Sequence, residues 1–314
     1  MSANRPASPP RQSADHRLWP WLLALVALCA SLCLTACTDD TTAGLSGTGG
    51  VGEDGTGAPV KAASMGEVTG VDDTTLTVNG VTFDRQGAQV QDGQASPLEA
   101  QSLAPGMWVT VSGEAQTDGT HPVAQTIRVL PAARGVVSQL DPASGTLTLM
   151  ETTVQVSPNT WVATDDDGSA PEAALLAGLQ VGDLVEVHAA LGASDGAMVA
   201  SRVTKLAATP ALWPYQLRGR VTELGANHHV RVGDQWVDTR QAAVALPRAW
   251  AVGMVVRVAA MTPPETGQAW PVARVTSDTD TLPANAAFVY LAGVVRHWVS
   301  GPQFDVESVP VDAT

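Results

Sequence analysis

His228 and His229 are adjacent imidazoles, Asp165-Asp166-Asp167-Gly168 is a run of carboxylates ending in glycine, and Cys37 is the last of three thiols. These are the groups whose types could hold a metal, hold calcium or form a covalent bond. Neighbouring residues of a strand point to opposite faces, so the two histidines do not reach one ion together. The aspartate run has Ala163 where a calcium loop has its first ligand and Ala174 where it has its closing Glu, which leaves a polar turn. Asp84, Asp238 and Asp312 each follow a third β-like run, a recurrence that fits turn capping better than a shared ligand contact. Serine, histidine and acidic groups occur without a motif that would activate a nucleophile. The expectation is a protein that is not an enzyme, with no catalytic, metal-binding or cofactor-binding residue.

Cys37 has a different chemistry available, because of what precedes it. A basic start (Arg5, Arg11, Arg17), an apolar core from Trp19 to Leu34 and small residues before the cysteine are the three parts of an export signal. Leu34-Thr35-Ala36-Cys37 resembles the lipobox of bacterial lipoproteins. The resemblance implies that the Cys37 sulfur takes a diacylglyceryl group, that residues 1–36 are removed, and that the new amino terminus is acylated, typically with palmitate, so that several chains hold the protein on a membrane. Thr38 follows the cysteine in place of the Asp associated with inner-membrane retention, which implies the periplasmic face of the outer membrane. A transmembrane anchor over residues 18–34 is the competing reading, but its roughly 17 residues sit at the lower limit for spanning a bilayer.

Removal of residues 1–36 takes Arg5, Arg11, Arg17 and Asp15 from 17 basic and 31 acidic side chains, leaving 14 against 30, a net charge of −16. Such a field repels phosphate backbones, so nucleic acid is excluded as a partner. Cys29, Cys33 and Cys37 all lie in or at the end of the signal, and the exported body has no thiol for a disulfide. Residues 37–64 are rich in Gly, Thr and Asp and poor in core-forming side chains, and read as a disordered tether. A Gly-rich segment of about 26 residues reaches roughly 25 to 30 Å, enough to clear the headgroups. Gly47, Gly49 and Gly52 match a dinucleotide-binding pattern by chance, with no strand before them and no helix after.

The body repeats. Gly66-Glu67-Val68, Gly135-Val136-Val137, Gly219-Arg220-Val221 and Gly293-Val294-Val295 open successive units at spacings of 69, 84 and 74 residues. Each opening is followed by a short alternating run, as in Thr75-Leu76-Thr77-Val78, and Asn79-Gly80 then has the composition of a type I′ hairpin turn. Fourth strands are expected at Gly106–Val111, Gly182–Val187 and Gly253–Val258, with hairpin tips at Asp118-Gly119, Asp195-Gly196 and Thr266-Gly267 leading to fifth strands. Ser96-Pro97-Leu98-Glu99 and Ser169-Ala170-Pro171-Glu172 have capping-box spacing for a short helix between strands three and four, with Leu98 and Leu103, or Leu175 and Leu179, as barrel plugs. Five strands with a helix in that place is the order of OB-like barrels. The predicted fold class is therefore all-β: tandem five-stranded OB-like barrels with at most one short helix each. The boundaries are 65–131, 132–207, 217–277 and a partial unit 288–314, with the more flexible joint expected at Ala207 to Leu217.

The ordered set of motifs (Gly-x-Val, Leu-Thr-Val-Asn-Gly-Val, Gly-x-x-Val-x-Val, Asp-Gly, Ala-x-x-Ile) resembles a domain-of-unknown-function family, number 5666 of its series, which occurs as tandem copies in proteobacterial lipoproteins. The resemblance brings no catalytic residue with it. Unit four departs from the pattern after Val309-Pro310-Val311-Asp312; either it is truncated or its hairpin pairs with a neighbouring sheet edge. Seven tryptophans remain after cleavage (Trp108, Trp161, Trp213, Trp236, Trp250, Trp270, Trp298), each more simply read as core filling than as a stacking surface. The functional expectation is a non-enzymatic envelope lipoprotein that presents tandem barrels to a protein or glycan partner, with a periplasmic small-molecule or cation sensor as the alternative.

Overall fold

The computed structural model describes residues 60–277 apart from 94–95, 116–120, 165–175, 177, 192–197, 211–212 and 247, together with 286, 288–293, 295–296, 302–306 and 309–312. The export signal, Cys37, the tether, Asp165–Asp167, Ser169–Glu172 and Trp298 lie outside the described residues.

The first barrel is built from β1 (Val60–Val71), β2 (Thr75–Val78), β3 (Val81–Asp84), β4 (Gln89–Asp92), β5 (Trp108–Ala115) and β6 (Val123–Val129). The second has β7 (Ala133–Asp141), β8 (Thr146–Leu149), β9 (Thr152–Gln155), β10 (Trp161–Thr164), β11 (Leu184–Leu191) and β12 (Met198–Lys205). The third has β13 (Tyr215–Leu224), β14 (His229–Val232), β15 (Gln235–Asp238), β16 (Ala243–Ala245), β17 (Val255–Ala260), β18 (Trp270–Pro271) and β19 (Arg274–Ser277). In the first, β1 pairs β2, β2 pairs β3, β3 lies parallel to β6, and β6 returns through β5 to β1, which closes a five-stranded ring. The same circuit runs β7-β8-β9-β12-β11 in the second barrel. In the third it runs β13-β14-β15-β18, continues in β19, and returns through β17. The all-β, small-barrel class is thus what the chain adopts.

Apolar alternation accounts for the interiors: Leu76, Val78, Phe83, Val109, Val111 and Ile127 are fully buried inside the first ring. The Gly-x-Val openings mark where the first strand of each barrel changes partner. Up to Glu67, Val136 and Arg220 that strand pairs with strand four; from Val68, Val137 and Val221 it pairs with strand two, with a register shift right after the valine each time. A bulge at this point bends the strand and lets a single segment serve two walls of a closed barrel. The glycine leaves room for the strand-two to strand-three turn that folds over it. A Cβ at Gly66 would stand 2.0 Å from Asn79 Oδ1, at Gly135 3.1 Å from Met150 Cε, and at Gly219 2.8 Å from Val232 Cγ1.

Two details differ from the sequence reading. The third strand comes in two pieces, and the second piece (β4, β10, β16) lies parallel to strand five. The first capping box does not form: only a 3-10 turn, Ala100–Ser102, follows, with no side-chain cap, while Ser96 donates its backbone N–H to Asp92. Pro97 forms an isolated bridge with Gln91 and holds that stretch extended. Leu103 is the buried plug and Leu98 is exposed. In the described part of Ala207 to Leu217, the segment expected as the more flexible joint, Trp213 O accepts from Arg134 and Gln216, and Leu217 pairs with Ala133.

The first strands also join the units. The end of β1 that pairs with strand four leaves its other edge open, and so does the corresponding end of β7. At β7 that edge meets β13 through Ala133 and Arg134, and the second and third barrels share one continuous apolar cluster. At β1 it meets β20 (Phe288–Leu291), laid parallel along Ala62–Met65. The fourth unit's hairpin, β22 (Gln303–Val306) with β23 (Val309–Asp312), pairs with β21 (Val295–Arg296), so the element that reaches a neighbouring edge is the unit's first strand and not its hairpin.

Candidate functional site

A cleft of about 710 Å³ able to receive a ligand lies between the second and third barrels. One wall is the outer face of β7, β8 and β9, with Ser138, Gln139, Thr148 and Thr153, and the β8–β9 turn, Met150-Glu151. The other is the loop between β17 and β18, with Pro263, Pro264, Glu265 and Thr266. That turn is where Asn79-Gly80 stands in the first barrel, yet both of its residues carry side chains at positive φ, 48° for Met150 and 57° for Glu151. Such residues are uncommon in the left-handed region. The contacts explain their presence: Met150 is buried against Gly135, and Glu151 Oε1 accepts the Gly267 N–H of the opposite wall at 3.3 Å. The cleft offers hydroxyls, one amide, a proline pair and two carboxylates, with no basic side chain.

A second cluster lies where the barrels meet. Glu186 and His188 on β11, Arg134 on β7, Arg202 on β12, Arg218 on β13 and Arg257 on β17 project outward from their rings, yet His188, Arg202, Arg218 and Arg257 are buried, and His188, Arg202 and Arg257 each bond to the chain of another unit. Arg134 donates to Glu186 through Nε, at 2.8 Å, and through Nη2. Burial alone would push the Glu186 carboxyl up; the Arg134 guanidinium, aided by His188, outweighs that and holds it well below the ordinary range. Arg257 donates to Pro131 O, and Arg202 to Pro105 O at 3.1 Å, each crossing from one barrel to the chain of another. Outward polar residues of strands read as solvated faces in sequence, which is why none of these stood out.

The residues singled out in sequence do not converge. His228 sits in a turn at φ 61° and His229 begins β14. Among the described residues, no group of three or more His, Cys, Asp or Glu side chains could hold a metal ion. Asp84 accepts the Gln86 N–H at 2.9 Å, and Asp238 accepts the Arg240 N–H at 3.0 Å as well as the Arg240 guanidinium, which draws its pKa down to about 2. Both therefore cap turns. Asp72 and Asp141, which sequence reading passed over, do the same between strands one and two, binding Thr74 and Thr75, and Ala143 and Ser144. Trp108 and Trp270 are buried, and Trp161, Trp213, Trp236 and Trp250 are partly buried. No described helix is long and apolar enough to cross a membrane.

No curated protein matches the chain. A family model described as a domain of unknown function matches twice, over residues 65–128 and 134–204. Those spans are the first two barrels; the third repeats their strand circuit outside the matched residues. The chain carries two tandem copies of the domain of unknown function DUF5666.

Proposed function

We propose that this protein is a non-enzymatic scaffold of the cell envelope, held on the membrane through lipidated Cys37, whose fused barrels bind an extended segment of a partner protein in the cleft between barrels two and three. The observation that carries the reading is the cleft itself. Its volume of about 710 Å³ falls in the range of roughly 300–1,000 Å³ typical of ligand sites. OB-like barrels commonly hold ligands on the outer face of strands two and three and on the loop between strands four and five. Here one barrel contributes that face and the next contributes that loop.

Burial of the tryptophans favours a polypeptide over a glycan. None of the six described indoles is exposed, and sugar recognition leans on exposed aromatic faces. The lack of basic groups in the cleft and the overall acidity disfavour anionic ligands.

A photocrosslinking residue placed at Thr153, with a second at exposed Val199 as control, tests the reading in intact cells. A discrete protein adduct from Thr153 that is missing from Val199 is the expected result. Adducts confined to lipid and peptidoglycan strands would remove the protein partner. The address has its own test: a Cys37→Ser chain should leave the membrane fraction, and one that stays there contradicts the lipid anchor.

A further inference from the structure

His188 stands at the seam between the first two barrels, away from the cleft. Its ring is fully buried, Nδ1 accepts the backbone N–H of Trp108 on β5 at 3.0 Å, and Nε2 lies 3.2 Å from Glu186 Oε1. A neutral imidazole has one ring N–H and one acceptor nitrogen. Since Nδ1 accepts, the proton is assigned to Nε2, where it donates to Glu186. Two more bonds cross the seam beside it: Ser201 Oγ donates to Gly106 O at 2.7 Å, and Arg202 donates to Pro105 O. The approach is close enough that a Cβ at Gly106 would lie 2.8 Å from Ser201 O.

A second proton on this ring would have to sit on Nδ1, with two N–H donors then facing each other. The Trp108 bond and the imidazolium exclude one another. The described charged groups around the ring do not reverse this. Glu186 attracts a cation, but its carboxylate already receives two bonds from Arg134 on β7. Arg202, the cross-strand partner of His188 on β12, is itself buried and adds positive charge on the same face. On the first barrel, the titratable group in register with Trp108 is Glu67 on β1, a half-buried carboxyl that burial pushes up toward its neutral form.

We propose that His188 is a proton-operated latch between barrels one and two: the neutral ring holds the Trp108 amide and keeps the seam shut, and the protonated ring releases it. The docked seam holds the ring neutral, because Nδ1 has to accept the Trp108 N–H, whereas a separated ring has no such bond to lose. Acid therefore works against docking.

Hydrogen exchange at the Trp108 amide in the full chain, corrected for intrinsic rates, reads the latch between pH 8 and pH 5. The expected result is at least a tenfold loss of protection at pH 5, with Ile127 in the ring of barrel one unchanged. A His188→Asn chain keeps an acceptor near the Nδ1 position and cannot titrate, so its Trp108 protection should be the same at both pH values. Equal protection in the unaltered chain at pH 8 and pH 5 overturns the latch, and so does an acid-induced loss that persists in His188→Asn. Should the variant fail to fold, ring ¹⁵N shifts of the unaltered chain decide. A doubly protonated His188 alongside a protected Trp108 amide refutes the proposal, and loss of both features together supports it.

Discussion

At the scale of single residues, the recurring glycine of Gly-x-Val and the Arg134–Glu186 pair do the most. Asn79 cannot give way easily to a Cβ at Gly66, because its amide nitrogen is bonded to Ser64 Oγ, Met65 O and Tyr290 O. Gly66→Ala should destabilise the first barrel by about 1–3 kcal/mol, the usual cost of forced overpacking, as read by urea denaturation. Glu186 gives a pH dependence of known sign. Its carboxyl is held below the ordinary range in the folded chain, so its contribution is complete above about pH 4.3, where an unfolded Glu is ionised, and is lost as pH falls toward the folded value. Glu186→Gln should cost roughly 3 kcal/mol at pH 7 by leaving Arg134 without its carboxylate, and should flatten the acid limb of the stability curve. A variant as stable as the parent at pH 7 would mean the pair contributes nothing net. The glycine was legible in the sequence as a repeat marker, although the bulge it serves was not. Glu186 and His188 were illegible, because a polar residue on the outer face of a strand looks the same whether water or another barrel lies over it.

At the scale of elements, one segment tests how a barrel end is sealed. Ser96-x-x-Glu99 has the spacing of a helix cap, yet Pro97 sits in an extended bridge and the chain makes a single 3-10 turn. Leu98 is left exposed and Leu103 is driven into the core. Leu103→Ala should cost about 2–5 kcal/mol and Leu98→Ala no more than about 0.5, measured as the difference in denaturation midpoint at constant m-value. The reverse order would restore the capped helix. The strands themselves were readable from alternation and from turns such as Asn79-Gly80, where both residues adopt positive φ. The second pieces of strand three were not, because β4 and β10 are four residues long and β16 three, and each is defined by a parallel partner far along the chain. Short parallel ladders carry no local signature.

At the scale of the whole molecule, tandem repeats suggest beads on a string, but the second and third barrels share a β7–β13 ladder and one apolar cluster. Fusion has a functional consequence, since the cleft takes one wall from each barrel and exists only while the two stay together. Units of about 70 residues bury only about 60% of their chain surface alone, so sharing a core adds stability that neither would have by itself. Nothing in the sequence between Ala207 and Leu217 foretold this, because the joint is held by Arg134 and Ala133 more than seventy residues earlier in the chain. Native-state hydrogen exchange along a urea series tests the fused pair most directly. The account predicts that core amides of the second barrel, such as Val187 and Val203, and of the third, such as Val256 and Val258, lose protection at one common urea concentration. Two separate midpoints, with the third barrel opening while the second stays closed, would contradict it.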